Sequence, residues 1–364
     1  MTKSSYIPTS AEIIKRVPKT PDNQYGCITV NSVPVDTPSV VALGGELTTT
    51  AQAANSYAKT LQNVLNENKV YGVDVYSVTY HFGSSDPGLE RAEQYRIAGR
   101  RLVKDENLNP IAQHTRELTL RDMRKNEPVP NYVRQLYNIL MRPRITDADG
   151  APVNVDDAIS RVHRIKFYAH CHGASILWQM ANLMYEDMKK LGYTPAETQR
   201  IQHEVFVIQH SPIAPLTGQR FTTLSFASAE DTMMQHHNNL FADWIYENSA
   251  DIVPSFFDGT KGNIFVAGRL KEKSFREHDH SGLVATDEDT WPLTADGKII
   301  FGAERNALVR AAQHATVGAP VPSVEQMVDG NGIDFAQLKK NGEILYKVML
   351  NDLRQQNLKH DYQK

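Results

Sequence analysis

The chain has 364 residues, of which 41% are apolar and 22% charged, and it carries a net charge of −3 at neutral pH. This length fits one large α/β domain or two small ones, and the near-neutral charge gives no footprint for nucleic acid or an anionic membrane surface. The two cysteines, Cys27 and Cys171, are too few for a disulfide framework, so we expect a reducing compartment.

The N-terminal segment has no apolar core of signal-peptide length, and no run approaches the ~18 apolar residues of a membrane span. We therefore expect a soluble cytoplasmic protein, while secretion without a cleaved signal, including delivery into another cell, stays open. Residues 1–25 are polar and rich in proline, and we expect them to form a surface arm. Residues 26–35 have apolar residues spaced by two, which predicts one or two edge strands.

The first buried strand is predicted over residues 39–43, a continuous apolar run typical of a parallel sheet. Gly44, Gly45 and Glu46 follow this strand, and a helix is predicted over 51–66. Glycines between a strand and a helix let backbone N–H groups face a reaction centre, although a plain β-α turn favours glycine as well.

The segment between residues 84 and 150 is much longer than the roughly 2–6 residues that usually connect elements of an α/β unit. A strand rich in valine and tyrosine is predicted before it, over 73–82. Helices are predicted within it over 90–104 and 131–141. The length of the segment indicates an insertion between two core strands.

Residues 164–191 organise the rest of the chain, since they predict a strand over 165–169, a tight turn and an amphipathic helix. The turn has the form small-x-nucleophile-x-small, with Ala169, Cys171 and Gly173 at the three defined positions. The small residues let the strand and the helix approach closely. The N-terminus of the helix then lies beside the nucleophile, where its N–H groups and dipole stabilise a thiolate and a developing oxyanion.

A cysteine at the end of a strand is often only a small core residue, because free cysteine is among the most buried residue types. We favour a nucleophile at Cys171, since small neighbours and an abrupt change from strand to helix periodicity accompany it. Cys27, in the predicted edge-strand region, is interpreted as a core or edge residue.

Further elements are predicted after the elbow helix: a strand over 204–209, a strand or a helix leading into one over 239–247, a last core strand over 263–267, and helices over 302–314 and 335–356. Asp251 lies in the sequence D-I-V-P just after 239–247, where an acid beyond the end of a strand can reach the crevice of an α/β sheet. His278 and His280 follow the last predicted strand. The chain order is therefore nucleophile, acid, histidine.

Together these features resemble the α/β-hydrolase superfamily, with cysteine in place of the serine of the elbow. The D-I-V-P segment resembles the one that carries the catalytic acid in the class 3 lipases, and His-Ser-Gly-Leu at 280–283 resembles the start of the helix after the catalytic histidine. The resemblance implies a mostly parallel sheet flanked by helices, in one domain over 26–356 with a helical cap over 84–150 and a polar tail over 357–364.

The resemblance also implies the site residues: the nucleophile Cys171, the orienting acid Asp251, the base His280 with His278 as the alternative, and oxyanion-hole N–H groups of His172 and of Gly45 or Glu46. The implied reaction is hydrolysis of an ester, thioester or related acyl bond through an acyl-thioester intermediate. We expect no cofactor, a small-molecule or lipid acyl substrate, no nucleic acid and no integral membrane segment, with the oligomeric state open.

Two other function classes stay open. The run His278-Asp279-His280 could coordinate a divalent metal in a metal-dependent hydrolase, although no H-E-x-x-H or C-x-x-C spacing is present. We expect no metal site. A binding protein that kept the fold and lost turnover is also compatible with cysteine at the elbow, since a fold alone does not define a function.

Overall fold

The described strands form an eight-stranded, mostly parallel sheet at the centre of the protein. The structure, a computed structural model, describes residues 10–21, 26–45, 48–81, 129–212, 214, 220–228, 263–268, 295–328, 336 and 340. The strands are β1 Ser10–Arg16, β2 Cys27–Val30, β3 Ser39–Leu43, β4 Asp74–His81, β5 Ile165–His170, β6 Phe206–His210, β7 Thr222–Ser228 and β8 Asn263–Gly268. Their order across the sheet is β2-β1-β4-β3-β5-β6-β7-β8.

Of the described strands, only β1 runs against the others: it is antiparallel to both β2 and β4, while the pairs from β4 through β8 are parallel. The helices are α1 Ala51–Glu67, α2 Asn131–Leu140, α3 Arg142–Ile145, α4 Val155–His163, α5 Gly173–Lys190, α6 Pro195–His203, α7 Ala295–Val317 and α8 Val324–Val328. The predicted fold class, a mostly parallel sheet flanked by helices, is confirmed.

Helices cover both faces of the sheet, and each face has its own apolar core. Successive residues of β5 belong to different cores, because side chains alternate across a strand: Phe167 packs in one core and Tyr168 in the other. The first core includes Leu136 of α2 and Ile176 of α5, and the second includes Leu308 of α7 together with residues of α1. Burial of a side chain of this size contributes about 1.5–3 kcal/mol.

The segment predicted as a surface arm contributes a strand to the sheet. Residues 10–16 form β1, which pairs with β4 from Ser10 opposite His81 to Lys15 opposite Tyr76. Ala11 and Ile13 are almost completely buried on one face. The prediction of an arm over 1–25 is therefore wrong for residues 10–16. The strand was missed because its short apolar alternation lies between polar and proline-rich sequence.

The predicted cap over 84–150 falls largely on residues 82–128, which lie outside the described part of the chain. The remainder is not a cap, since α2 packs against α5 and β1. Tyr132 and Leu136 of α2 are fully buried in the core. A cap formed by the preceding residues stays a prediction.

Strand β7 and helix α6 are among the elements that were not predicted from the sequence. Strand β7 alternates threonine and serine with larger apolar residues, and the buried Ser225 hydroxyl donates to the Gln209 side chain at 2.8 Å. Helix α6 begins with a capping box of Thr194 and Glu197. The segment 239–247, and the final helix over 335–356 apart from residues 336 and 340, lie outside the described residues. No helix in the described part of the chain is long and apolar enough to cross a membrane.

Candidate active site

The predicted elbow is present at the carboxyl end of β5. The strand ends at His170 and α5 begins at Gly173, so only Cys171 and His172 lie between them. Cys171 has a φ of 55°, in the left-handed region that costs a residue other than glycine about 1–2 kcal/mol. Its N–H donates to the His210 carbonyl of the adjacent strand at 3.2 Å, and its carbonyl accepts from the Ala174 N–H at 3.1 Å. The sheet and the helix therefore hold the strained residue from both sides.

Small residues flank this strained position, as the sequence pattern predicted. A Cβ atom on Gly173 would lie 2.1 Å from the Leu43 carbonyl oxygen, which is backbone of β3 and cannot yield cheaply. Ala169 is fully buried inside the first core. The close contact between the start of α5 and the end of β3 thus requires glycine at position 173.

The glycine loop after β3 lies directly beside the elbow. A Cβ atom on Gly45 would be 3.4 Å from the Cβ and 3.6 Å from the Sγ of Cys171. A Cβ atom on Gly44 would collide with the Thr48 hydroxyl at 2.3 Å and with the Tyr57 ring at 2.5 Å. The loop is closed by Thr48, whose N–H and hydroxyl both donate to the Gly45 carbonyl, at 3.0 and 2.8 Å. The packing of this loop therefore requires glycine at position 44, whereas position 45 lies in van der Waals reach of the thiol.

Two tyrosines hold the same loop. The Tyr80 hydroxyl of β4 donates to the Gly44 carbonyl at 3.1 Å, and the Gly45 N–H donates to the Tyr57 hydroxyl oxygen at 3.3 Å. Burial raises the pKa of Tyr80 well above its usual value, and the neighbouring Tyr57 and Cys171 raise it further, so the Tyr80 hydroxyl stays protonated as a donor. The Gly45 N–H, one of the two alternatives predicted for the oxyanion hole on this loop, therefore contacts a phenol in this structure.

A chain of buried polar groups continues behind Tyr57. Its hydroxyl lies 2.7 Å from His170 Nδ1, and the His170 ring lies 5.6 Å, centre to centre, from the ring of His210. His210 Nδ1 lies 2.9 Å from a carboxylate oxygen of Glu304, which is fully buried on α7. The other carboxylate oxygen accepts from the Tyr168 hydroxyl at 3.0 Å. We call Tyr57, His170, His210, Tyr168 and Glu304 the buried network.

His172, the other residue of the elbow turn, is held from the opposite face of the sheet. Its Nε2 lies 3.1 Å from the hydroxyl of the fully buried Tyr132 on α2. The Tyr132 ring packs edge-on against Tyr80, with 6.1 Å between ring centres. This contact fixes the start of α5. The role of the His172 N–H as an oxyanion donor stays a prediction.

Four predicted site residues, Glu46, Asp251, His278 and His280, lie outside the described residues. Their positions in the chain can be compared with the strand bounds: Asp251 falls between the end of β7 at Ser228 and the start of β8 at Asn263, and both histidines follow the end of β8 at Gly268. Because β7 and β8 run parallel to β5, both strands end at the edge of the sheet that carries Cys171. Their roles stay predictions.

The metal alternative rests on His278-Asp279-His280, outside the described residues. Within the part that the structure describes, no group of three histidine, cysteine or acidic side chains could hold a metal ion.

The strand order, the elbow and the helices on both faces define an α/β protein with the α/β-hydrolase fold. Neither a protein-family model nor a curated protein matches the sequence. Among solved structures, the chain is similar to an esterase of Pyrobaculum calidifontis, with 11% identity over 87% of this chain and 89% of that chain and a TM-score of 0.31.

Two further solved structures are similar to the same extent. Esterase B of Lactobacillus rhamnosis is 10% identical over 86% of this chain and 90% of that chain, with a TM-score of 0.31. The carboxylesterase EstE1, cloned from a metagenomic library, is 11% identical over 85% of this chain and 90% of that chain, also with a TM-score of 0.31. Similarity at this level of identity and TM-score does not indicate an activity, so the proposed reaction rests on the residues of the site.

Proposed function

We propose that the protein is a cysteine-dependent hydrolase of ester, thioester or related acyl bonds, with Cys171 as its nucleophile. The observation that carries this proposal is the left-handed backbone of Cys171 between a parallel strand and a helix. A cysteine that only fills space needs no strained backbone, and residues held in sparsely populated φ regions are concentrated at active sites.

The surroundings of the thiol support the same role. Glycine at 45 leaves the space beside the Cys171 sulfur without a side chain, and glycine at 173 lets the start of α5 approach the end of β3. The start of α5 follows the nucleophile, so the positive end of the helix lies next to any negative charge on the sulfur or on the substrate oxygen. A bystander cysteine would gain nothing from this arrangement.

The proposed reaction has two stages. The Cys171 sulfur attacks the acyl carbon while His280 takes the thiol proton, and the tetrahedral intermediate collapses to an acyl-thioester as His280 protonates the departing alcohol or thiol. Water then attacks the thioester with His280 as base, which releases the carboxylic acid and restores the thiol. Asp251 holds the imidazole in the required tautomer and stabilises its cation; His278 is the alternative base.

The test is acylation by p-nitrophenyl acetate, followed as release of nitrophenol and as the mass of each cysteine-containing peptide. We expect a burst of nitrophenol and an acetyl group on Cys171 in the wild type. Cys171→Ala should abolish both while the protein stays folded. Cys27→Ala is the matched control, because it removes the other thiol, on the edge strand β2.

An unmodified Cys171 in the wild type, or unchanged turnover in Cys171→Ala, would overturn the proposal. The first result would favour the binding protein that kept this fold without turnover, whereas the second would show that another group carries the reaction. Three further variants, Asp251→Asn, His280→Ala and His278→Ala, test which residues complete the triad. We expect His280→Ala, and not His278→Ala, to remove the burst.

A further inference from the structure

A buried amine lies at the amino edge of the sheet, on the face that α7 covers. Lys166 and Tyr168 are two residues apart on β5, so their side chains lie on the same face of the strand. Tyr168 packs in the core that α7 helps to form and donates its hydroxyl to Glu304 of α7. The register partners of Lys166, Val40 on β3 and Phe206 on β6, belong to the same apolar core. The Lys166 side chain therefore lies among apolar neighbours on the α7 side of the sheet.

The end of α7 is attached to the start of β5 through Arg164, the residue that directly precedes the strand. The Arg164 guanidinium donates to the carbonyls of Ala315 and Thr316, at 3.3 and 2.6 Å. These carbonyls belong to the last turn of the helix, which ends at Val317. The last turn of α7 is thus held over the same end of the strand that carries the buried amine.

Basic groups from α4, α7 and the start of β5 lie around the Lys166 amine. We call His163, Arg164, Lys166 and His314 the basic cluster. The charges of Lys166 and His163 both act on His314, so the three groups lie within electrostatic reach of one another. Glu204 is the acid that faces Lys166, and its carboxylate is already paired with His163, 2.8 Å from Nε2. One carboxylate therefore serves several bases.

We propose that the basic cluster is a proton-sensitive switch, which releases the last turns of α7 from the sheet when Lys166 becomes charged. The Lys166 amine is almost fully buried and has no hydrogen-bond partner among the described residues, so its neutral form is strongly favoured there. Release of the helix end exposes the amine to water, where it holds a proton. This inference does not depend on the proposed hydrolase function.

The pKa of the Lys166 amine sets the pH range of the switch. Burial lowers this pKa from 10.5 to about 7, and Glu204 raises it only in part. Between these values the released state binds more protons than the docked state, so docking strengthens as the pH rises and weakens as it falls. Burial and the charges of Lys166 and His163 also lower the pKa of His314 from 6.5, so protonation of His314 extends the release to lower pH.

Amide hydrogen exchange of the full chain at a series of pH values tests the switch, with the intrinsic exchange rate divided out. We expect the amides of residues 308–315 to exchange through an opening smaller than global unfolding, which the amides of the central strand β3 report. The protection of these α7 amides should rise about tenfold between about pH 7.5 and 8.5, because one proton is released on docking.

Lys166→Met should remove this pH dependence and raise the protection of the same amides, since the variant has no amine to charge. Lys15→Met is the matched control. Lys15 is a partly exposed lysine of the same sheet, and its amine is paired with Asp74 at 2.6 Å. We expect this control to keep the wild-type pH dependence at the end of α7.

The same pH dependence in Lys166→Met as in the wild type would overturn the inference. Equal protection of the α7 and β3 amides at every pH would also overturn it, because the opening would then be unfolding of the whole protein. If the methionine variant does not fold, the wild-type profile decides. A tenfold rise per pH unit in an opening confined to the helix end supports the switch, whereas protection that does not change with pH excludes it.

Discussion

The two ends of β5 contain two buried basic residues in opposite surroundings. Lys166 near the start and His170 at the end are four residues apart, so they lie on the same face of the strand. His170 belongs to the buried network, in which Tyr57 and the Glu304–His210 pair follow one another within hydrogen-bond or ring contact. Lys166 is 1% exposed, and its amine has no hydrogen-bond partner among the described residues.

The two ends of β5 thus differ in how their buried polar groups are paired. At the carboxyl edge, the groups support the loop beside the candidate nucleophile. At the amino edge, burial lowers the pKa of Lys166 to about 7, and the nearby Glu204 opposes this only in part. A buried amine without a hydrogen-bond partner costs stability. Mutations at the carboxyl edge should therefore lower the stability of the protein, whereas replacement of Lys166 at the amino edge should raise it.

The largest effect is expected from removal of the Glu304 carboxylate. Glu304→Leu removes the acceptor for the Tyr168 hydroxyl and the partner of His210 Nδ1, both buried. We expect a loss of about 2–5 kcal/mol in the free energy of unfolding, since each orphaned buried group costs about 1–3 kcal/mol. Urea unfolding measures this loss, and Glu304→Gln, which keeps one acceptor, should lose less. A change below about 0.5 kcal/mol in Glu304→Leu would contradict the importance of the network.

A methyl group at position 173 introduces a steric clash at the same carboxyl edge of the sheet. Gly173→Ala places a Cβ against the Leu43 carbonyl, and overpacking of this kind costs about 1–3 kcal/mol. We also expect slower alkylation of Cys171, because the start of α5 must move. Gly150→Ala is the control, since no atom lies within 4 Å of its Cβ position and only its φ of 81° is strained. Equal reactivity of Cys171 in both variants would argue against the predicted displacement.

At the other end of β5, Lys166→Met should stabilise the protein by about 1–3 kcal/mol, because it replaces a buried amine by an apolar side chain of similar length. The gain should depend on pH. The folded-state pKa is lowered from 10.5 to about 7, so the unfolded chain binds more protons between these values and the wild type gains stability as the pH rises. The advantage of the methionine variant is therefore greatest below pH 7 and decreases toward pH 10.5.

Unfolding of both proteins at a series of pH values tests this prediction, because contributions that the two proteins share cancel to first order in their difference. An advantage that is constant with pH would show that the amine is not protonated differently in the folded and unfolded states.

The smallest effect is expected from Glu204→Gln. Glu204 raises the pKa of Lys166, and its carboxylate lies 2.8 Å from His163 Nε2. Glutamine keeps the hydrogen bond to His163 and removes the charge, so the stability transition of Lys166 should move to lower pH. A double-mutant cycle with Lys166→Met should give a coupling of about 0.5–1 kcal/mol. No coupling would mean that another group faces the amine.

The sequence predicted best those elements that are buried on both faces. The run at 39–43 matches β3, and the predicted strand at 165–169 is one residue shorter than β5, because continuous apolar runs leave little choice of structure. Strand β7 was missed because threonine and serine fill one of its faces. Its serine pairs with a glutamine on the neighbouring strand, a contact that only the folded sheet provides.

The site, too, was predicted where its residues are close in sequence and missed where they meet only in the folded protein. The elbow is local, so its spacing could be read from residues 169–173, and the structure has the expected turn. The buried network is not local: His210 and Glu304 are 94 residues apart and meet only when α7 packs on the sheet. One signal was available, since two predicted strands are each followed directly by a histidine, His170 and His210, which the parallel register brings side by side.

The left-handed backbone at residue 171 also has an evolutionary consequence. Glycine or asparagine would adopt this conformation at little cost, whereas cysteine carries about 1–2 kcal/mol of strain. A lineage selected for stability alone would therefore drift toward glycine or asparagine at this position. Cysteine is retained there only where the thiol is needed for function. The residue found at position 171 in related chains would therefore show which lineages still use the thiol.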